Sequence, residues 1–392
     1  MSFLRTARAV LGGPKCLRRF AVSSGLLLLA ALLVSCGGTG KLPNFGSAHN
    51  AYVTLPTDGA VLQLHIDGLT GAITIAAETP KIAGTSPTGL ALLSHKFLYV
   101  ANAGANTISI FNVAGDGTLT LNGTPTPAGG SNPYAVTIDP SGKFLLVTNS
   151  SLSNSVSVFS IDSGSGALTP VAGSPFFAND TPSEILVTPS GDLVYVSNPR
   201  IGSVTAFTFS ASTGALTQVP GSPFASGAGA SGLATDGSGS FLYVANTSAT
   251  NPGSTTIGNI SSFAINKTTG VLSSVPGSPF TSAVGSGPSA LVVDPSGRFL
   301  FATTPGGNFS VWAFALGSPT GQLAPVGGSP YSVPAGGLFA LIDHSGNFFY
   351  IGSQSAHGIA AYTFDQNSGQ PTLITNSPFS TGTPPGKMVI AD

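Results

Sequence analysis

A hydrophobic element returns about every 50 residues, with a fixed turn before it and a fixed aromatic after it. Each chain end is incomplete, and the two ends complement one another. These observations predict an all-β fold: a seven-bladed β-propeller of four-stranded antiparallel blades, its ring closed by the C-terminal strand joining the N-terminal blade. The element reads FLYVAN at 97–102 and returns as FLLVTN (144–149), LVYVSN (193–198), FLYVAN (241–246), FLFATT (299–304) and FFYIGS (348–353). From Phe97 to Phe348 five intervals cover 251 residues. That spacing suits a four-stranded blade.

Each unit has four parts. A short apolar strand follows a Pro or Gly, as in YAVTID (134–139) and ALVVD (290–294). A tight turn comes next: DPSG at 139–142 and 294–297, TPSG at 188–191, DGSG at 236–239, DHSG at 343–346. Pro presets φ at the second turn position and Gly accepts φ > 0 at the fourth. The second strand is the recurring element. The third carries Phe111, Phe159, Phe207, Phe263, Phe314 or Tyr362 at one fixed place, with Leu64 in the first repeat. The fourth follows a Gly-rich turn, as in SGALTPV (165–171), and runs to GSPF, GSPY or NSPF. The proline there lacks a ladder donor and is expected to end the outer strand. The recurring aromatics are expected in the core.

Complete units start near 87, 132, 182, 230, 288 and 336. Before them, NAYVTL (50–55), AVLQLHI (60–66) and GAITIA (71–76) match strands two, three and four, with no first strand ahead of them. The chain ends on PPGKMVIAD (384–392), which matches strand one alone. The tail therefore completes the first unit, and closure hides edges that would otherwise stand unpaired. Phe263 follows Asn246 by 17 positions, against 9 or 10 in blades two, three, four, six and seven, so an insertion is expected at 247–258.

The N-terminus reads as an export signal. Arg5, Arg8, Lys15, Arg18 and Arg19 precede the apolar run LLLLAALLV (26–34), then Ser35 and Cys36. The run is short for a membrane span. LVSC at 33–36 resembles the lipobox of bacterial lipoproteins, which implies cleavage before Cys36 and lipid attachment to it. The expected organisation is a signal peptide at 1–35, a lipidated Cys and linker at 36–49 and the propeller at 50–392, lipid-anchored in the cell envelope. Cleavage leaves Cys36 as the sole cysteine, so packing alone must hold the domain. Losing five of 13 basic residues leaves eight against 14 acidic ones, a net charge of −6. That balance argues against nucleic acid, which needs clustered Lys and Arg.

The repeats resemble the lactonase-type, or YVTN-repeat, seven-bladed propellers. Tyr99-Val100-Ala101-Asn102 and Tyr243-Val244-Ala245-Asn246 nearly spell that signature, and the resemblance covers about 50–392. It implies the fold, and 6-phosphogluconolactonase-like activity in characterised enzymes. Those enzymes tend to place His just after the Pro that opens strand one. Here the positions read Pro133-Tyr134-Ala135, Pro182-Ser183-Glu184, Pro288-Ser289-Ala290 and Pro385-Gly386-Lys387, so no catalytic residue is assigned.

Loops from strand four to strand one, and from strand two to three, share one face, the entry face. Glu184, Lys387 and Tyr134 map to inner strands there, and Arg200 and His357 to its loops. A carboxylate with cations nearby can bind an acidic sugar or polarise a lactone carbonyl. These five are the ligand-binding candidates. No HxH, HExxH or CxxC spacing occurs, so no metal or cofactor is expected. A plain hairpin is expected at AGDG (114–117), with a weak Ca²⁺ alternative. The leading expectation is a monomeric binding or interaction module of the envelope, taking a small molecule or an envelope protein at the channel mouth. The alternative is a divergent lactonase.

Overall fold

A computed structural model describes residues 49–247, 258–281, 287–304, 310–334 and 336–391. The export signal, Cys36, the linker up to residue 48 and most of the 247–258 insertion lie outside the described residues. The described chain is all β, with no helix, in seven antiparallel sheets. Blade 3 shows the pattern: Ser131–Ile138 is innermost, then Phe144–Ser151, Ser155–Ile161 and Leu168–Pro170.

Blade 1 is closed by the tail. Met388–Ala391 pairs antiparallel with His49–Leu55, Val53 opposite Met388 and Asn50 opposite Ala391. Lys387 extends the ladder, its carbonyl accepting from Thr54 N at 3.0 Å.

The outer strand differs from expectation at its proline. Its first run, Leu168–Pro170, stops ahead of Pro175 as expected, but pairing does not end for good. In blade 3 it resumes as Phe176–Phe177, which pairs with Ser155 and Val156 of the same third strand. The preceding serine explains how. Val158 N donates to Ser174 Oγ at 2.9 Å, so a side chain supplies the acceptor that the interrupted backbone lacks. Ser222, Ser278, Ser329 and Ser377 accept the equivalent bond from Ala206, Ser262, Ala313 and Ala361.

Seven apolar clusters fill the seven blade-to-blade interfaces. Each third-strand aromatic is buried towards the preceding blade: Phe159 packs with Phe97 and Tyr99, Phe207 with Phe144. Phe176, half-buried, sits against the interface of blades 3 and 4. The Gly-rich turn locks neighbouring blades. Gly166 has φ 74°, and a Cβ there would stand 2.6 Å from the Phe97 ring. Its carbonyl accepts from the buried Tyr99 hydroxyl at 3.0 Å. Tyr52, Tyr195 and Tyr350 make the same reach to Gly117, Gly270 and Gly71. The Tyr of the repeat is thus an interblade tie, and its Asn an entry-face clamp: Asn102 Nδ2 donates to Thr107 Oγ1 at 3.2 Å and Ser109 Oγ at 2.9 Å.

Candidate functional site: the central channel and the cleft beside it

Inner strands approach closely around the channel, and hydroxyl groups tie them together. Thr54 Oγ1 donates to Thr88 O at 2.9 Å, Thr88 Oγ1 to Pro133 O at 2.9 Å and Thr148 Oγ1 to Ser183 O at 2.7 Å. These bonds chain blades 1 to 4. Ser231 and Ser289 continue the pattern to Ser289 O and Gly337 O, chaining blades 5 to 7. Between blades 4 and 5, and between 7 and 1, no such bond occurs among the described residues.

The two ends of the first chain of blades are joined differently. Lys387, just before the inner strand of blade 1, reaches across the channel to Glu184, just before Ile185–Val187 of blade 4. Its ammonium donates to Glu184 Oε1. Both backbones are pinned. Lys387 N donates to Thr54 Oγ1 at 2.9 Å, and Glu184 N to Ser197 Oγ at 3.1 Å. The Lys387 ammonium also lies 6.0 Å from the centre of the Tyr134 ring, within cation–π range.

The side chains of Lys387 and Glu184 keep 26% and 23% of their exposure. Desolvation, the largest influence, acts to lower the Lys387 pKa. The Glu184 carboxylate and then Tyr134 outweigh it, so the pKa is raised and the group stays cationic.

The pair divides the channel. On the entry side lies a mouth cavity of about 230 Å³, bordered by Pro56, Thr88, Tyr134, Leu338, Gln354 and Lys387. Towards blades 5 to 7 lies a smaller cavity of about 140 Å³, touching Glu184, Leu233, Leu291 and Phe339. Tyr134 also borders a cleft of about 880 Å³ over blades 3 and 4, walled by Asn132, Ser150, Thr181, Arg200 and Ser226.

The five candidates therefore separate. Glu184, Lys387 and Tyr134 come together at the channel. Arg200 stands on the adjoining cleft, paired with Asp180 at 3.2 Å. His357 stays apart: it is exposed, at φ 46°, and borders none of these cavities, although Gln354 of the same loop borders the mouth. Sequence reasoning missed Thr54, Thr88, Asp180 and the cleft walls. The hydroxyl beside the inner-strand Pro in Pro87-Thr88 and Pro288-Ser289 was the available signal for the tied ring.

Among the described residues no three His, Cys, Asp or Glu side chains gather as a metal site would require. At AGDG the carbonyls of Asp116 and Gly117 accept from Gln63 and Tyr52. No described helix is long and apolar enough to cross a membrane.

A closed ring of seven four-stranded antiparallel blades defines the seven-bladed β-propeller class. The family model for lactonase, 7-bladed beta-propeller, matches residues 47–177, 171–284 and 274–385. The chain belongs to that family. Among solved structures it is similar to a candidate 6-phosphogluconolactonase of Bacteroides fragilis, at 20% identity and TM-score 0.76, covering 90% of this chain and 100% of that one. It is also similar to the periplasmic gluconolactonase of Pseudomonas aeruginosa, at 18% identity and TM-score 0.72, covering 88% and 99%. Hydrazine synthase of Kuenenia stuttgartiensis shares the ring at 15% identity and TM-score 0.57, covering 84% and 95%. Likeness at these identities speaks for the fold alone. No curated protein sequence matches the chain.

Proposed function

We propose that the protein hydrolyses a small hydroxylated lactone at the channel mouth. The observation that carries this reading, within the family, is Lys387 on the mouth cavity beside Tyr134, with its ammonium paired to Glu184 just behind it in the channel. Glu184 takes a proton from water as the water oxygen bonds to the lactone carbonyl carbon. Lys387, held cationic, steadies the charge that develops on the carbonyl oxygen. The ring C–O bond then breaks, the ring oxygen receives the proton from Glu184, and the open hydroxy acid leaves. Membership of the lactonase family supports the reaction class.

The test is pH-stat titration of purified protein with D-glucono-1,5-lactone. The expected result is acid release above the spontaneous rate, falling about 100-fold or more in Glu184→Gln, as loss of a general base does. No rate above background overturns the reading. A second reading, a non-catalytic binding module, draws on one observation: Lys387 and Glu184 already satisfy each other. It expects aldonate binding without turnover.

Export with lipid on Cys36 is proposed from the sequence. The Pseudomonas aeruginosa relative is likewise named as periplasmic. Radiolabelled palmitate should enter the protein in bacterial cells and be lost in Cys36→Ser. Labelling that survives the substitution refutes the assignment.

A further inference from the structure

The mouth cavity of about 230 Å³ is the size of a single small ring with little room to spare, while the cleft beside it holds about 880 Å³. Pockets of the larger size enclose ligands of several rings. Tyr134 belongs to both walls, so a ligand seated at the mouth can continue past its ring into the cleft.

The charge in the cleft is already balanced. Arg200 is the one cation among the lining residues, and Asp180 holds it at 3.2 Å. Glu184 likewise holds Lys387 at the mouth. A phosphate in the cleft would meet only one cation, Arg200, an exposed group that already shares its charge with Asp180. The remaining polar walls are neutral. Asn132 Nδ2 donates to Ser150 Oγ at 2.7 Å, which fixes the amide and leaves its Oδ1 as an acceptor. Thr181 carries a buried hydroxyl with no partner among the described residues. Pro199 and Ile201 add apolar surface. Fixed amides and hydroxyls beside apolar patches match a neutral sugar, which presents hydroxyl edges and C–H faces together.

We infer that the preferred ligand is a lactone or aldonate bearing a neutral glycosyl extension, its acid-derived ring at the mouth and the extension in the cleft over blades 3 and 4. This rests on the lactonase reading for the chemistry, but not for the fit. Product acids bind without being consumed, so calorimetry on the full chain can compare cellobionate, gluconate and 6-phosphogluconate. Cellobionate is expected to bind at least about tenfold tighter than either of the others, the gain of roughly 1.4 kcal/mol that a modest second contact gives. Ala228→Trp, at an exposed position on the cleft wall, should bring cellobionate down to the gluconate level.

Equal affinities, tighter binding of 6-phosphogluconate, no binding of any of the three, or an unaffected Ala228→Trp would each overturn the inference. Hydrolysis of glucono-1,5-lactone without any cellobionate advantage leaves the activity standing and removes the extension. A cellobionate advantage without hydrolysis of any lactone does the reverse.

Discussion

Lys387 reaches from the tail to blade 4, so a double-mutant cycle can measure what the channel pair contributes. Lys387→Met keeps the apolar stem and removes the charge, leaving the Glu184 carboxylate inside the channel with its partner gone. Exposed ion pairs are worth about 0.2–1 kcal/mol, and breaking a fully buried one costs about 3–5 kcal/mol. With 26% and 23% of their exposure retained, these side chains lie between the limits, so about 2 kcal/mol of destabilisation is expected. Glu184→Gln leaves the ammonium similarly stranded and should cost about the same. The double variant leaves no stranded charge and should cost about 1 kcal/mol or less, because a well-packed neutral pair often replaces a buried ionic one without loss. The coupling is then about 3 kcal/mol, at the upper end for residues in contact. Urea denaturation followed by tryptophan fluorescence reads all four proteins, since Trp312 is buried in the interface of blades 5 and 6. Singles whose costs simply add in the double variant would refute the reasoning: the two groups would then act independently, and the channel would be wet enough to screen them.

Two further outcomes test the ring. Deleting residues 386–392 removes buried Met388 and Ala391 and half-buried Val389 and Ile390 from two blade interfaces. That loss is worth about 5 kcal/mol, against a typical total of about 5–15 kcal/mol, so the melting temperature should fall by about 10 °C or more; an unchanged melt would contradict closure by the tail. The interblade tyrosines make the fold sensitive to base. Burial first, then nearby Asp116, pushes the Tyr52 pKa up to about 12, and burial also raises Tyr99, Tyr195, Tyr243 and Tyr362. Each holds its proton more tightly folded than unfolded. Their stabilisation is therefore complete below pH 10 and is lost as pH climbs through the folded-state values, about 12 for Tyr52 and higher for the others, with Tyr52 alone accounting for about 2–3 kcal/mol. Tyrosinate absorbance should appear together with unfolding, and full ionisation near pH 10 with the ring intact would show that the hydroxyls are not buried ties.

The blades were legible because each must solve the same packing problem. Phe97 meets Gly166 for the same reason that Phe144 meets Gly214: a second strand of one blade needs a Cβ-free turn on the next. That requirement prints itself every 50 residues, and the missing first strand at residue 50 then demands the tail. The interrupted outer strand was not legible, because a side-chain oxygen at Ser174 stands in for a backbone carbonyl, and residue patterns do not announce such an exchange.

The site follows a related logic with a different outcome. Register places Glu184 and Lys387 at equivalent points before their inner strands, so their approach to the channel could be read in advance. Their bond to each other depends on blades 1 and 4 facing across a seven-membered ring, which no local pattern encodes. Arg200 shows the limit most sharply. It lay on the expected face, yet what decides its chemistry is Asp180, twenty residues earlier on a different loop. A paired arginine offers a ligand shape and hydrogen bonds more than net charge. Under the proposed function, ligand class would depend on how each charged residue is partnered as well as on which ones are present.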